Sequence, residues 1–208
     1  MASRNEKLQS SNQKVIKGKQ GETSQDSQAQ EEKFVFFYGK NSPFSQHFAV
    51  DFEIDGITYN CAEQYMMHQK AVMFRDREMA QKIMGTKNPA EQKRFGRKVR
   101  NFDKEVWAVK APGVVKRANN AKVCVLLQKS FTFQFSQNKH LLQQLLSTCP
   151  NTLAEASPRD RLWGIRLEAS NPKAKDRRQW RGKNLLGHIL TEVREELMKE
   201  EEEDNEKT

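Results

Sequence analysis

The feature that most constrains the fold is a change of hydrophobic periodicity near residue 60. Residues 50–54 alternate apolar and charged side chains, which is typical of a half-buried strand. Asp55-Gly56 then supplies a two-residue turn before the apolar run 57–59, so a β-hairpin is predicted. After this hairpin, apolar residues recur mainly at helical spacing and no regular βαβ alternation follows. The pattern therefore predicts an α+β fold rather than a doubly wound sheet.

Turn, cap and spacing signals predict the individual elements. Strands are expected at 34–38, 50–54, 57–59, 152–156 and 163–167. Helices are expected at 60–74, 76–84, 88–98, 138–148 and 184–197, with a further one from Asp103 to about Gln128 that breaks or kinks at Pro112-Gly113. We expect a compact, helix-rich single domain with a small, mainly antiparallel sheet over residues 34–198.

The two ends differ from this body in composition. Residues 1–33 are rich in Gln, Ser, Lys and Glu and poor in large apolar side chains, so we expect a disordered tail. Residues 199–208 are acidic and are expected to continue the last helix and then fray. The tails carry net charges of +1 and −4 within a total of +9, so the body carries +12. Such a surplus attracts anions, including nucleic acids, nucleotides and sugar phosphates.

Composition also argues against several classes of protein. The apolar runs are far shorter than the roughly 20 residues that span a bilayer, and the N-terminus lacks the apolar core of a signal peptide. The three cysteines, Cys61, Cys124 and Cys149, have no CxxC spacing and no His in a zinc-ligand pattern. We therefore expect a protein of the cytoplasm, with the nucleus also open, and neither a metal nor a cofactor.

The first candidate site residue is Glu63, in the segment Cys61–Met67. If Asn60 caps the helix, Glu63 lies at the third helical position, where a glutamate often closes a capping box. Spacing alone favours capping over catalysis. However, Glu63 shares a helical face with Lys70, which would hold a carboxylate ionised and positioned.

Three further segments carry polar or aromatic side chains suited to a pocket. In 153–164, Glu155 and Ser157 share one face of a strand and precede Asp160 and Trp163. In 180–187, the start of a capped helix beside basic residues is either a phosphate cradle, with Lys183 and Asn184, or an ordinary cap. In 36–45, a Gly/Asn/Ser/Pro loop carries Phe44, which forms either a pocket wall or a simple turn. The basic run 173–183 is either a solvated loop or a steering surface for a polyanion.

Taken in order, these segments resemble one family. The blocks that carry the resemblance are Tyr38-Gly39, Asn41–Ser45, Asn60–Met66, Lys70-Ala71, Asn88-Pro89, Gly96-Arg97, Trp107, Leu153–Ser157, Asp160, Trp163–Ile165 and Gly182–Gly187. In wording and order they resemble the YbiA/RibX-like N-glycosidase family, also called the NADAR domain, over about residues 34–198. The resemblance implies a compact, metal-free α+β fold.

The resemblance also implies an activity and a site. It implies hydrolysis of an N-glycosidic bond to a phosphorylated ribose, either in phosphoribosylamino-pyrimidine intermediates of riboflavin synthesis or in ADP-ribose attached to guanine in DNA. The family blocks fall on Glu63, Trp107, Glu155, Ser157, Asp160, Trp163 and Asn184.

We expect Glu63, oriented by Lys70, to stabilise the oxocarbenium-like charge or to activate water. Asp160, with Glu155 behind it, is expected to bind ribose hydroxyls or to assist the leaving nitrogen. The aromatic side chains of Trp107 and Trp163 would flank the ligand. Two alternatives stay open, namely a non-catalytic ADP-ribose or NAD binder and a basic nucleic-acid-binding module. The oligomeric state does not follow from the sequence.

Overall fold

The computed structural model describes residues 32–123 and 136–206. The elements within them run β1 Phe34–Phe37, β2 Phe52–Ile54, β3 Ile57–Tyr59, α1 Ala62–Met73, α2 Arg77–Met84, α3 Pro89–Gly96, α4 Lys104–Val123, α5 Ser136–Leu146, β4 Thr152–Glu155 and α6 Leu185–Glu206, with two 3-10 turns at Pro172–Lys175 and Arg177–Gln179. The helix-rich α+β class is confirmed. The tail predicted at 1–33 lies almost wholly outside the described residues, as do Cys124 and the predicted end of a helix near 128.

The strands form two small sheets rather than one. Strands β2 and β3 pair antiparallel around Asp55 and Gly56, whose φ angles of 53° and 74° suit a tight hairpin turn. Strands β1 and β4 pair in parallel, with Phe34 opposite Thr152 and Phe37 opposite Glu155. The expectation of a mainly antiparallel sheet is therefore corrected at this pair. Its partners lie more than a hundred residues apart, so no hairpin signal marks it.

Two predicted element boundaries need correction. Helix α4 runs unbroken through Pro112, because Ala111, Val115 and Ala118 of the same helix are buried in packing that holds it together. The strand predicted at 163–167 does not form. The backbone turns at Arg166, whose φ is 58°, and only the N–H of Ile165 reaches the neighbouring strand.

The capping residues in the sequence correctly predicted where the short helices begin. Asp76 accepts a hydrogen bond from Met79 N and begins α2, and Asn88 accepts one from Ala90 N and begins α3, with Pro89 at the first helical position. The main core packs α1, α4 and α6 against the β1–β4 pair. Helix α6 continues through the acidic run to Glu206. Among the described residues, no helix has the length and apolar character needed to span a membrane.

Candidate active site

A cavity of about 340 Å³ opens between the start of α1, the end of α3, the start of α4 and the segment after β4. This volume lies in the range of small-molecule sites. Seven of the ten predicted site residues line it: Glu63, Lys70, Trp107, Glu155, Ser157, Asp160 and Trp163. These seven residues come from three separate stretches of the chain, which converge on one pocket.

Glu63 does not cap helix α1, although its position in the sequence suggested that role. The N-cap is Cys61 rather than Asn60, and it makes no side-chain cap bond. Gln64 lies at the third helical position instead, and its Oε1 accepts from Asn60 N at 2.8 Å. The amide group of Gln64 also donates to Ile83 O at 3.2 Å. Because Gln64 ties down the helix start, the Glu63 side chain is free to face the cavity.

The Glu63 carboxylate is buried and only partly satisfied. The residue is 4% exposed, and its Oε1 is buried without a hydrogen-bond partner. Its Oε2 lies 3.6 Å from Nε2 of His47. Lys70 was predicted to orient the Glu63 carboxylate, but its ammonium group is engaged elsewhere. Lys70 Nζ donates to Gly96 O at 2.8 Å and lies 3.7 Å from the centre of the Phe102 ring. Burial lowers the pKa of Lys70.

The loop that carries His47 is held from behind by a buried lysine. Lys122 of α4 is 1% exposed and donates to Pro43 O at 2.7 Å and to Ser45 O at 3.0 Å. Burial lowers the pKa of Lys122 to about 7. The same loop accepts the N–H of Glu63 at the carbonyl of Gln46, at 2.9 Å. The loop and the start of α1 are therefore fixed to each other at the residue that bears the carboxylate.

Three contacts fix the backbone of Glu155. It ends β4 opposite Phe37 of β1, its carbonyl accepts the N–H of Ile165 at 2.9 Å, and its own N–H donates to Oδ1 of Asn184 at 2.9 Å. Gly164 passes so close that a Cβ there would lie 2.8 Å from the Glu155 carbonyl oxygen. This backbone crossing fixes the direction in which the Glu155 side chain leaves the strand.

The Glu155 carboxyl is in an environment that favours its protonated form. Its Oε2 is buried without a hydrogen-bond partner. Burial, together with the negative charges of Asp160 and Glu63, raises the pKa of Glu155 to about 7, although the positive charge of Lys93 opposes this. At neutral pH this group exists in both protonation states, which suits a proton donor.

Asp160 shapes the turn beside this group. Its Oδ1 accepts from Leu162 N at 2.9 Å and from Trp163 N at 2.8 Å. The side chain therefore holds the turn that places the indole of Trp163 at the cavity. Trp107 reaches the same cavity from α4, and both indoles are half-buried.

Three predicted site residues lie away from the cavity lining. Asn184 is fully buried, and its amide is bonded to the backbone of β4, at Glu155 N and at Leu153 O. Lys183 is exposed, and only its backbone N–H is engaged, at Arg161 O. Phe44 packs edge-on against Phe37, with ring centres 5.8 Å apart, and belongs to the core. The amide of Asn184 thus anchors the start of α6 to strand β4, and a Cβ at Gly187 would lie 2.2 Å from Leu153 O of the same strand.

Sequence reasoning missed several lining residues, chiefly Gln46, His47, Lys93 and Arg97. The Gly96-Arg97 block was noticed only as part of the resemblance. A helical projection of 93–97 would have placed Lys93 and Arg97 on one face, but nothing in the sequence says that this face meets Glu63. Within residues 32–123 and 136–206, no group of three or more His, Cys, Asp or Glu side chains is arranged to hold a metal ion.

Comparison with known proteins decides the family. Residues 31–198 match the NADAR domain. The chain belongs to the NADAR family. It is 39% identical over 176 residues to N-glycosidase R617 of Acanthamoeba polyphaga mimivirus, covering 79% of this chain and 96% of that protein.

Two further matches extend this NADAR assignment. The NMR structure of the E. coli protein YbiA superposes with a TM-score of 0.62 and 27% identity, over 82% of this chain and 88% of that one. The maize protein named Riboflavin biosynthesis protein PYRR, chloroplastic, is 29% identical over 167 residues, which are 77% of this chain and 24% of that protein. The expected enzyme class, an N-glycosidase of the NADAR family, is confirmed by these relatives.

Proposed function

We propose that this NADAR protein hydrolyses the bond between C1 of a phosphorylated ribose and the nitrogen of an amino-substituted base. The observation that carries the proposal is the pair of carboxyl groups, Glu63 and Glu155, that line one cavity. Each has a buried oxygen without a hydrogen-bond partner. A buried, unsatisfied acceptor is costly, so a ligand that supplies the missing donors would be bound favourably.

In this proposal Glu63 acts at the sugar. Cleavage of a ribosyl C–N bond develops positive charge on C1 and the ring oxygen. A carboxylate beside that carbon stabilises the charge and accepts a proton from the attacking water, whose oxygen then bonds to C1. Nε2 of His47 lies 3.6 Å from this carboxylate and pairs with it when the imidazole is protonated.

Glu155 acts at the leaving group. Its protonated form gives its proton to the departing nitrogen as the C–N bond breaks, so the base leaves as a neutral amine. Solvent then returns a proton to Glu155 and takes one from Glu63, and the net reaction consumes one water. The charge of Asp160 supports this role because it keeps the Glu155 proton bound nearer to neutral pH.

The aromatic side chains support a ligand with a flat base. Trp107 and Trp163 line the cavity from opposite parts of the sequence, and Tyr38 lies at its edge, 57% exposed. Indole and phenol rings stack on heterocycles and exclude water from the breaking bond. Both substrate classes implied by the resemblance, a phosphoribosylamino-pyrimidine and an ADP-ribosylated guanine, have this form. The named role of the maize relative in riboflavin biosynthesis supports the first of them, and the +12 body supports the second.

The test is to incubate the purified protein with each substrate in turn and to follow released base or ADP-ribose by mass spectrometry. Glu63→Gln should abolish release from the true substrate. Glu91→Gln is the matched control, because Glu91 also lies in the first turn of a helix but bonds Thr86 and lies outside the cavity lining. Full turnover by Glu63→Gln, with a normally folded protein, would refute the assignment.

The two alternatives give different results in the same experiment. A non-catalytic binder of ADP-ribose or NAD would show tight binding by calorimetry and no product after long incubation. A nucleic-acid-binding module would bind plain DNA or RNA with an affinity that falls steeply with salt. Release from only one of the two substrates identifies the leaving base.

A further inference from the structure

Two cationic side chains of α3 face the cavity without an acidic partner. Lys93 and Arg97 are four residues apart and so lie on one face of the last helical turn, and both line the cavity. Among the described residues, no carboxylate oxygen lies within 4.0 Å of either charged group.

The neighbouring cations differ in this respect. Arg94, one residue along, pairs with Glu91 at 3.4 Å, and Arg100 pairs with Asp76 at 2.8 Å. These two cations near the cavity therefore have acidic partners within the protein. The two that face the cavity do not, which is the arrangement expected where an anionic ligand completes the pairing.

The other two basic side chains of the cavity lining have contacts of their own. Lys70 donates to the carbonyl of Gly96, and His47 lies against Glu63. The lining also includes the acidic side chains of Glu63, Glu155 and Asp160, which would repel a phosphate. An anion in this cavity therefore has one favourable edge, the one formed by α3.

We propose that Lys93 and Arg97 form the subsite for the phosphoryl group carried on C5 of the ribose. The inference rests on the proposed function, because it takes C1 of the same ribose to lie at Glu63 and Glu155. Guanidinium and ammonium groups bind phosphate oxygens through charge-assisted hydrogen bonds, and arginine does so with two parallel donors. The subsite replaces the one expected at Lys183 and Asn184, whose side chains do not line the cavity.

The subsite also orients the substrate along the cavity. A ribose held by its C5 phosphoryl group at α3 presents its other end, C1, to the acidic side chains of the lining. Lys93 lies close enough to Glu155 for its charge to act on that carboxyl. A phosphoryl group bound to Lys93 would offset this positive charge, so that substrate binding would favour the protonated form of the proton donor.

The test compares matched substrates that differ only in the phosphate. A ribosylamino-pyrimidine with and without its 5-phosphate is assayed with wild type, Lys93→Gln and Arg97→Gln. We expect each substitution to raise KM for the phosphorylated substrate about 10- to 100-fold, the size of a lost charge-assisted hydrogen bond. The ratio of kcat/KM for the phosphorylated substrate to that for the unphosphorylated one should therefore fall about 10- to 100-fold, whereas the change that Lys93→Gln makes at Glu155 acts on both substrates alike and cancels in the ratio.

Lys98→Gln is the control, since it removes the same charge from an exposed residue outside the cavity lining. It should leave the KM for both substrates unchanged. Ribose 5-phosphate and ADP-ribose are also added as competitors, and their inhibition constants show whether the subsite prefers a terminal phosphate or a diphosphate. Equal losses on both substrates, or no loss on either, would overturn the subsite.

A second measurement separates the subsite from the reaction. If wild type turns over neither substrate, the proposed function fails, and calorimetric binding of ribose 5-phosphate still tests the subsite by itself. Weaker binding in Lys93→Gln and Arg97→Gln, with Lys98→Gln unchanged, would support it. Unchanged binding in all three would refute it.

Discussion

Replacing Glu155 by Gln should make the protein more stable at alkaline pH while removing its activity. The folded state holds this carboxyl at a pKa of about 7, against 4.5 for the free side chain. A folded pKa above the unfolded one means that the folded state binds the proton more tightly. The resulting stabilisation is complete below pH 4.5 and is lost as pH rises through about 7.

The size of the effect follows from the two pKa values. Between pH 5 and pH 8, ionisation of Glu155 should lower the free energy of unfolding by about 2 to 3 kcal/mol. Gln cannot ionise, so the variant lacks this part of the pH dependence. Comparing the two proteins at both pH values cancels any packing difference caused by the substitution, because that difference is the same at each pH.

Urea unfolding at pH 5 and pH 8, followed by circular dichroism, measures this directly. Wild type should lose stability relative to Glu155→Gln by about 2 to 3 kcal/mol across the range. Parallel pH dependences would show that Glu155 ionises as it does in the unfolded chain. The proposal that it is the proton donor near neutral pH would then lose its physical basis.

Three further predictions test the surroundings of the site. The pH profile of kcat/KM should fall as pH rises through about 7, as Glu155 loses its proton, and Asp160→Asn should move that midpoint to lower pH; an unmoved midpoint would argue against the charge effect. Asn184→Ala should cost about 2 kcal/mol of unfolding free energy in urea, because it leaves two backbone groups of β4 unpaired, and a cost under about 0.5 kcal/mol would contradict the anchor. Gly187→Ala should destabilise the protein by about 1 to 3 kcal/mol, because the new Cβ would lie 2.2 Å from a carbonyl oxygen of β4. Gly113→Ala, whose Cβ would have nothing within 4 Å, should instead stabilise it by about 0.5 to 1 kcal/mol. Equal shifts of the melting temperature in the two variants would refute this contrast.

The fold was predictable wherever a local signal decides the structure. Caps at Asp76 and Asn88 and the turn at Asp55-Gly56 act over three or four residues, so the sequence alone specified them. Pairing of β1 with β4 depends on chain segments far apart and leaves no local trace. A helix break was predicted at Pro112 from a local signal, but the tertiary packing of α4 overrides that signal.

The site was predictable in part for similar reasons. Glu63, Glu155 and Asp160 lie in segments that the sequence analysis selected as candidate pocket segments, and all three line the cavity. Asn184 has the sequence appearance of a ligand-binding cap, yet its amide is used by β4. Lys93 and Arg97 were not predicted as site residues, because only the packing of α3 against α1 turns their face toward the carboxylates.

The parallel pairing of β1 with β4 sets an order for assembly during synthesis on the ribosome. Phe34–Phe37 has no partner strand until residues 152–155 have emerged, and the N–H of Glu155 then remains unpaired until Asn184 follows. Contacts of such long sequence separation form late. The start of α1, with Glu63, has its local bonds much earlier. The carboxyl group of Glu63 is therefore positioned while that of Glu155 still awaits its strand. If both carboxyl groups act as proposed, a nascent chain is inactive until residue 184 has left the exit tunnel.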